Sequence, residues 1–311
     1  MMKNNTGMKL LNAEILDKSM NIEHDIEVNT SQLKQNGFVI IPGLIKGKML
    51  TDLCNELNHY FDETPNSEGN FWGLKTKRMG RIFSKSRQAQ HLAIHPLILG
   101  IMNKIMAPYC ERIQINLTQA IQIGPGEVEQ PLHRDDELFP FPKSSAEFMV
   151  NAMWAIDDFT EDNGATVVWP GSNRKPTMRE MPADKTVSAT MKSGSVLIWL
   201  GSTQHAGGAN STSRPRAGLT ISYCLGWLRQ AENQYLAYPP HIAKHFSKQL
   251  QDLIGYKVHR PNLGWYEGQE PDLLFTSTPD TLPAQDLFTP ELEALSREIL
   301  QARQQRELAV N

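Results

Sequence analysis

Cysteine is scarce in this chain. Its 311 residues hold three, Cys54, Cys110 and Cys224, an odd number with no paired spacing. That argues against a disulfide framework and predicts a reducing, cytoplasmic setting. A dominant charge is also missing. Thirty-one Lys and Arg stand against 34 Asp and Glu, a net charge of −3 at pH 7, so bulk electrostatics offer nothing to nucleic acid. No apolar run approaches the roughly 20 residues of a membrane-spanning helix, and no membrane partner is expected. Met1 to Thr6 leads into no continuous apolar core, which argues against a secretion signal. No Gly-Lys-Ser or Gly-Lys-Thr stands at phosphate-loop spacing, and no serine-nucleophile elbow is present. Internal repeats and low-complexity segments are missing too. What remains is 40 % hydrophobic and 21 % charged, an ordinary composition for a protein with one large core.

The chain divides by pattern. Residues 1–29 are polar and mixed, and read as an N-terminal arm. Residues 30–311 read as a single domain. Ser31 to Gly37 suggests a short helix stopped by Gly37, followed by a strand from Phe38 to Ile41. Leu50, Leu53, Leu57 and Tyr60 recur at helical spacing within Met49 to Phe61, and Pro96 to Met106 is a second apolar helix. A strand-rich core follows from about 112 to 227. Its turn signals are Gly124-Pro125-Gly126, Asn163-Gly164, Pro170-Gly171 and Lys192-Ser193-Gly194. From 228 to 311 the composition predicts a helical extension. Ile242, Phe246, Leu250, Leu253 and Ile254 form one face, and Thr289 caps a helix over Pro290 to Leu300.

Inside the core stand His133 and Asp135, and later His205. In Arg112 to Ile123, the residues Ile113, Ile115, Leu117, Ile121 and Ile123 alternate with polar ones, which reads as a half-buried strand. Gly124-Pro125-Gly126 ends it, so His133 and Asp135 lie just past a strand end. In an extended segment they share a face, whereas Asp136 points away. His205 follows the apolar run Ser195 to Leu200, a buried strand between Gly194 and Gly201. Two imidazoles and one carboxylate cap one face of an octahedral metal, the ligand set of non-haem Fe(II) oxygenases. The His-x-Asp tripeptide alone says little. With 9 His and 14 Asp, about 0.4 matches arise by chance, and alone His133 and Asp135 are a loop histidine and a turn residue. Arg216 opens the next strand, Ala217 to Cys224. Its guanidinium suits a dicarboxylate whose keto-acid end chelates the metal. Arg214, two residues earlier on the same face, is the competing choice. The pairs His91/His95 and His241/His245 have i, i+4 spacing. Leu92 and Ile242 occupy the position where a zinc protease needs Glu, so both pairs read as structural or surface residues.

The motif order is then specific. It runs Gly37 to Gly43, Gln130-x-x-His133-x-Asp135, Asp162-Asn163-Gly164-Ala165-Thr166, Pro170-Gly171-Ser172, His205-Ala206-Gly207-Gly208-x-Asn210 and Arg216. This order resembles the phytanoyl-CoA dioxygenase family over roughly two thirds of the chain, ending near Trp227. The resemblance implies a mostly β fold with flanking helices around a double-stranded β-helix, the jelly-roll or cupin-like core. It implies Fe(II) on His133, Asp135 and His205, with 2-oxoglutarate and O2 as co-substrates. It implies Arg216 on the distal carboxylate of 2-oxoglutarate, with Gln130 and Thr166 touching the same molecule. Similar enzymes are often homodimers. The family includes acyl-CoA hydroxylases, and similar enzymes tailor fungal and bacterial natural products. The expected activity is therefore oxidation, foremost hydroxylation, of a C–H bond in a small organic molecule of secondary metabolism. An acyl-CoA hydroxylase of lipid catabolism is the alternative. Desaturation, epoxidation, ring expansion and endoperoxide formation depend on substrate pose. A non-catalytic or differently metallated β-helix protein, or a metal-dependent isomerase or lyase, would have no need of Arg216. Asp135 stands where related halogenases have a small residue, which points to oxygenation.

One further segment stands out. Lys75 to Arg87 carries six basic residues and no acidic one, just after Phe71-Trp72-Gly73. The plain reading is a solvated basic surface. In similar enzymes this segment lies at the active-site mouth, which implies a lid hinged near Gly73. Phe71 and Trp72 would then cover an apolar substrate, and one or two of Lys75, Lys77, Arg78 and Arg81 would meet its carboxylate or phosphate.

Overall fold

Strand-forming alternation collects into two antiparallel sheets in the computed structural model, which describes residues 5–142, 146–175 and 185–310. The large sheet contains β1 (Phe38–Ile41), β2 (Thr76–Met79), β3 (Ile113–Ile123), β4 (Met149–Ala155), β7 (Val196–Leu200) and β9 (Arg216–Leu225). Its order is β1-β7-β4-β9-β3-β2. The small sheet has β5 (Thr166–Val168), β6 (Val187–Ser188) and β8 (His205–Gly207), in the order β6-β5-β8. The segment after β3 extends it: Gln130 N–H donates to Gly207 O at 2.9 Å, and the His133 and His205 backbones exchange two bonds of 3.0 Å.

The sheets face each other. Ile121, Ile123, Met153, Leu197 and Trp199 of the large sheet meet Val168, Ala189 and Met191 across the gap. The opposite face of the large sheet presents Val150, Ala152, Trp154, Val196, Ile198, Leu219, Ile221 and Tyr223 to helices. Burial on both faces explains why every position of β4, β7 and β9 is buried and why β7 reads as a continuous apolar run. Helices α2 (Gly47–Glu63), α3 (Arg87–Ala93) and α4 (Pro96–Met106) contribute Leu53, Leu57, Phe61, Leu92, Ile98 and Met102 to that core. This layout of antiparallel sheets and flanking helices is consistent with the expected double-stranded β-helix.

The alternation in β3 hides a change of face. Ile115 pairs with Tyr223 and Leu117 with Ser222, so Asn116 is an extra residue on one strand. Before this bulge the odd residues Ile113 and Ile115 pack on the helices. After it, Leu117, Gln119, Ile121 and Ile123 line the cavity between the sheets. The single alternating face expected from the sequence is thus two half-faces. Buried Asn116 holds the join: its Oδ1 accepts Ala231 N–H at 2.8 Å and its carbonyl accepts Glu232 N–H at 3.0 Å.

The ends differ from expectation. The helix expected over residues 31–37 is the last part of α1 (Asn5–Asn36), which takes in most of the segment read as an arm. Ile22, Ile26 and Leu33 lie on its inner face, and the polar residues around them masked that stripe in the sequence. Gly100 of α4 lets Ile26 approach, because a Cβ there would collide with the isoleucine side chain. The C-terminal extension is only partly helical. The helices α5 (Gln234–Ala237), α6 (Pro240–Ala243) and α7 (Lys248–Ile254) are short. A single 3-10 turn, Pro271–Phe275, interrupts the irregular chain before α8 (Pro290–Val310). Thr289 Oγ1 does accept Leu292 N–H, at 3.3 Å. No described helix is long and apolar enough to cross a membrane.

Candidate metal centre and co-substrate cavity

His133 and His205 come together because their backbones pair across the small sheet. Each ring is then oriented by a carbonyl two residues earlier in the chain: His133 Nδ1 lies 2.9 Å from Pro131 O, and His205 Nδ1 lies 3.1 Å from Thr203 O. A carbonyl can only accept, so Nδ1 carries the hydrogen in both rings and Nε2 is left as a lone-pair donor. Those Nε2 atoms face Asp135. His205 Nε2 is 3.3 Å from Oδ2, and His133 Nε2 is 3.7 Å from Oδ1. One ligand atom from each of the three residues lies within 4.8 Å of the others. Among the described residues no other group of three His, Cys, Asp or Glu has this arrangement. Burial, with His205 beside it, holds the His133 imidazole below its ordinary pKa and favours the neutral form that a metal needs.

Asp135 opens a 3-10 turn, Asp135–Leu138, and its Oδ2 is held from the large sheet. Asn151 Nδ2 donates to it at 2.9 Å and Trp199 Nε1 at 3.2 Å. Neither residue was singled out from sequence. Asn151 carried a signal nonetheless, as the one polar residue in the otherwise apolar, fully buried β4. Trp199 carried none, because an indole N–H in an apolar run looks like core.

The three residues sit on the wall of a cavity of about 470 Å³ between the sheets. Arg216 lines it from the first position of β9 and is 2 % exposed. Its Nη2 donates to Gly164 O, and its guanidinium carbon stands 3.9 Å from the centre of the Phe159 ring. Nε and Nη1 are buried and make no hydrogen bond to any described atom. Burial pushes its pKa down to about 9, against the pull of Asp157. Such a group is an incomplete site, since buried charged donors are costly until an acceptor reaches them. Arg214 is exposed on the preceding turn, so the cavity distinguishes the two arginines. Gln130 and Thr166 also line the cavity. Gln130 spans two elements, with Oε1 accepting Gly207 N–H at 2.9 Å and Nε2 donating to Phe71 O at 2.6 Å.

The basic run splits by strand parity. Arg78 points into the cavity, where Nη1 donates to Gln119 Oε1 at 2.9 Å and Nε to Trp72 O at 2.9 Å. Burial lowers its pKa to about 10. Phe71 and Trp72 are at the mouth, with the Phe71 ring 4.9 Å from that of His133. The structure does not bring Lys75, Lys77 or Arg81 to the cavity. Lys75 Nζ is on Gly126 O at 3.0 Å, Lys77 Nζ on Phe61 O at 2.7 Å and Arg81 Nε on Ala237 O at 3.2 Å. Nor is Gly73 placed as a free hinge. At φ +91° it makes a pinned turn, where a Cβ would lie 2.6 Å from both Glu127 Oε2 and Thr76 Oγ1. Of the other histidines, His91, His241 and His245 are exposed, and His95 packs its ring 6.2 Å from that of Trp154.

Comparison with known proteins agrees with this geometry. A sequence model of the phytanoyl-CoA dioxygenase family matches residues 33–218. Dioxygenase aneA of Aspergillus aculeatus is 31 % identical over 244 residues, spanning 72 % of this chain and 80 % of its own. Dioxygenase olcK of Penicillium canescens is 28 % identical over 245 residues, spanning 75 % of this chain and 81 % of its own. The fold resembles that of SnoN, a non-haem α-ketoglutarate-dependent epimerase from nogalamycin biosynthesis. The TM-score is 0.56 at 21 % identity, covering 67 % of this chain and 86 % of that one. SnoK, a carbocyclase of the same biosynthesis, gives 0.55 at 17 % identity, covering 67 % and 88 %. The chain therefore belongs to the phytanoyl-CoA dioxygenase family and is an iron- and 2-oxoglutarate-dependent oxidoreductase.

Proposed function

We propose that His133 Nε2, Asp135 and His205 Nε2 hold Fe(II), that 2-oxoglutarate lies between this triad and Arg216, and that the enzyme hydroxylates a C–H bond of an apolar small molecule of secondary metabolism. The observation that carries this reading is the unpaired, buried guanidinium of Arg216 in the same cavity as a mixed nitrogen and oxygen triad. A dicarboxylate answers both needs at once. When bound, iron with 2-oxoglutarate and dioxygen supplies the oxidising power, which no side chain of this cavity possesses.

The residues do the rest. Arg216 orients the distal carboxylate through its free Nε and Nη1. Thr166 and Gln130 flank the same molecule from the small sheet. The field of Arg78 reaches both Asp135 and Arg216. Arg78 therefore serves the co-substrate held between them as well as an anionic group on a substrate. Asn151 and Trp199 fix the Asp135 carboxylate against rotation. Phe71 and Trp72 cover the mouth, while Leu117, Met149 and Met153 offer an apolar wall to the substrate skeleton. Which substrate hydrogen sits over the metal decides the product, and the epimerase and the carbocyclase illustrate that range on a similar fold. Among the described residues, Lys75, Lys77 and Arg81 are engaged on backbone carbonyls, which leaves Arg78 as the member of the basic run able to meet a coenzyme A phosphate. This favours a natural-product substrate over an acyl-CoA.

Anaerobic titration tests the reading without a known substrate. Wild type loaded with Fe(II) and then 2-oxoglutarate should develop a visible charge-transfer band, absent in His205→Ala. Air should then release succinate, and a substrate panel should yield a product heavier by one oxygen atom. Iron that binds without any band on adding 2-oxoglutarate would refute the assignment.

A further inference from the structure

A second cavity lies at the far end of the same two strands. The catalytic cavity is at the end where Ile123 pairs with Arg216; this one is at the end where Ile113 pairs with Leu225. Its volume is about 430 Å³, comparable to that of the catalytic cavity, and Arg112, Arg229, His259, Trp227 and Tyr235 form part of its wall. No step proposed above uses any of them.

The wall holds hydrogen-bond donors without acceptors. Arg112 Nε is buried and makes no hydrogen bond to any described atom, and Arg112 has no ion pair among the described residues. Arg229 is exposed at the rim of the cavity and has neither an ion pair nor a side-chain hydrogen bond among them. His259 Nε2 accepts Glu111 N–H at 3.2 Å. Its Nδ1 must then carry the ring hydrogen in the neutral form, and that atom is buried and unpaired as well. The other charges nearby are already satisfied. Asp252 is held by Lys248 at 2.7 Å, and Lys257 is paired with Glu270. What is left over is two guanidinium groups and one imidazole N–H, all donors, in a protein of net charge −3. A ligand that only accepts hydrogen bonds and carries negative charge completes this set. Trp227 and Tyr235 add two aromatic rings to the wall beside it.

We propose that this cavity is a second ligand site, separate from the metal centre, that takes a small organic oxyanion: a carboxylate or phosphate group on a planar apolar body. Arg112 and Arg229 meet the oxygens, His259 Nδ1–H adds a third donor, and the ring of the ligand lies along Trp227 or Tyr235.

Calorimetry on the full chain tests this with phenyl phosphate, benzoate and inorganic phosphate as probes. Phenyl phosphate or benzoate should bind to one saturable site, and the stronger of the two identifies the oxyanion preferred. Inorganic phosphate should bind more weakly than phenyl phosphate, because it lacks the ring. Arg112→Gln and Arg229→Gln should each weaken binding at least about tenfold, the scale of one lost charge-assisted hydrogen bond. Arg229 is exposed and Arg112 makes no ion pair, its charge only reaching Glu111, so both variants should melt close to the wild type. Arg216→Leu should leave this binding unchanged while losing 2-oxoglutarate, which separates this site from the catalytic one. Absence of binding at millimolar probe, equal affinity in the Arg112 and Arg229 variants, or loss of binding in Arg216→Leu would each overturn the proposal.

Discussion

Arg216 shows how much one residue can be asked to do. It buries a guanidinium in the wall of the cavity and leaves two of its nitrogen donors unpaired. Removing one member of a buried charge pair costs on the order of 2–5 kcal/mol. Arg216→Leu should therefore weaken 2-oxoglutarate by at least about thirtyfold, with metal affinity changing far less. Arg216→Lys should not restore it, because an ammonium cannot form two parallel bonds to one carboxylate. Arg214→Leu should be mild. Titration of the three variants with 2-oxoglutarate orders them, and an Arg214 effect larger than that of Arg216 would reverse the assignment. The support behind Asp135 is a separate question. Asn151→Ala and Trp199→Phe each remove one donor from Oδ2, and such outer contacts are worth about 10–100-fold in metal affinity. Metal titration of both variants should reach that range with little change in the apparent affinity for 2-oxoglutarate measured at saturating metal. Unchanged metal affinity in both would mean that Asp135 needs no such support.

At the scale of elements, the bulge in β3 decides which side chains see the cavity. Asn116→Ala removes the acceptor of the Ala231 N–H, which lies at the surface, and should destabilise the fold by about 0.5–1.5 kcal/mol, measured by urea unfolding. A loss near zero would mean that the bulge survives without its side chain. The same strand marks the limit of what the sequence discloses. Strands β1, β3, β7 and β9 were legible, as was the clustering of His133, Asp135 and His205 near Arg216, because turn residues and motif spacing are local. The change of face at Asn116 was not, since the apolar residues stay odd-numbered on both sides of it. Helix α1 went unread for a related reason: its inner stripe has few apolar residues, and only packing on α4 reveals which face is buried. In the basic run, parity within β2 sends Arg78 inward and Lys77 outward. Composition alone had grouped them.

At the scale of the whole molecule, pH acts through a group outside the metal site. Burial, with Asp136 nearby, raises the Glu147 carboxyl to about 7, although Ser202 donates to it. Its pKa in the folded chain is thus above the unfolded value of about 4.3. The contribution of this group is fully present below the unfolded value and is lost as pH rises through about 7. Wild type should melt at a lower temperature at pH 8 than at pH 5.5 relative to Glu147→Gln, which cannot ionise. Parallel melting curves for the two proteins across that range would exclude the effect. The paired backbones of His133 and His205 have a different consequence. Seventy-two positions separate them in the chain, and they are joined by a single bridge from outside any named strand to the three-residue β8. Such a seam is expected to open before the large sheet does. A divalent ion gripping both rings would act as a clasp on it. Added Mn(II) should then slow amide deuterium uptake most steeply at these two histidines and along β8, and leave β4 and β9 as they were. Newly made chains would fold their large sheet first and close this small flap last, when iron arrives.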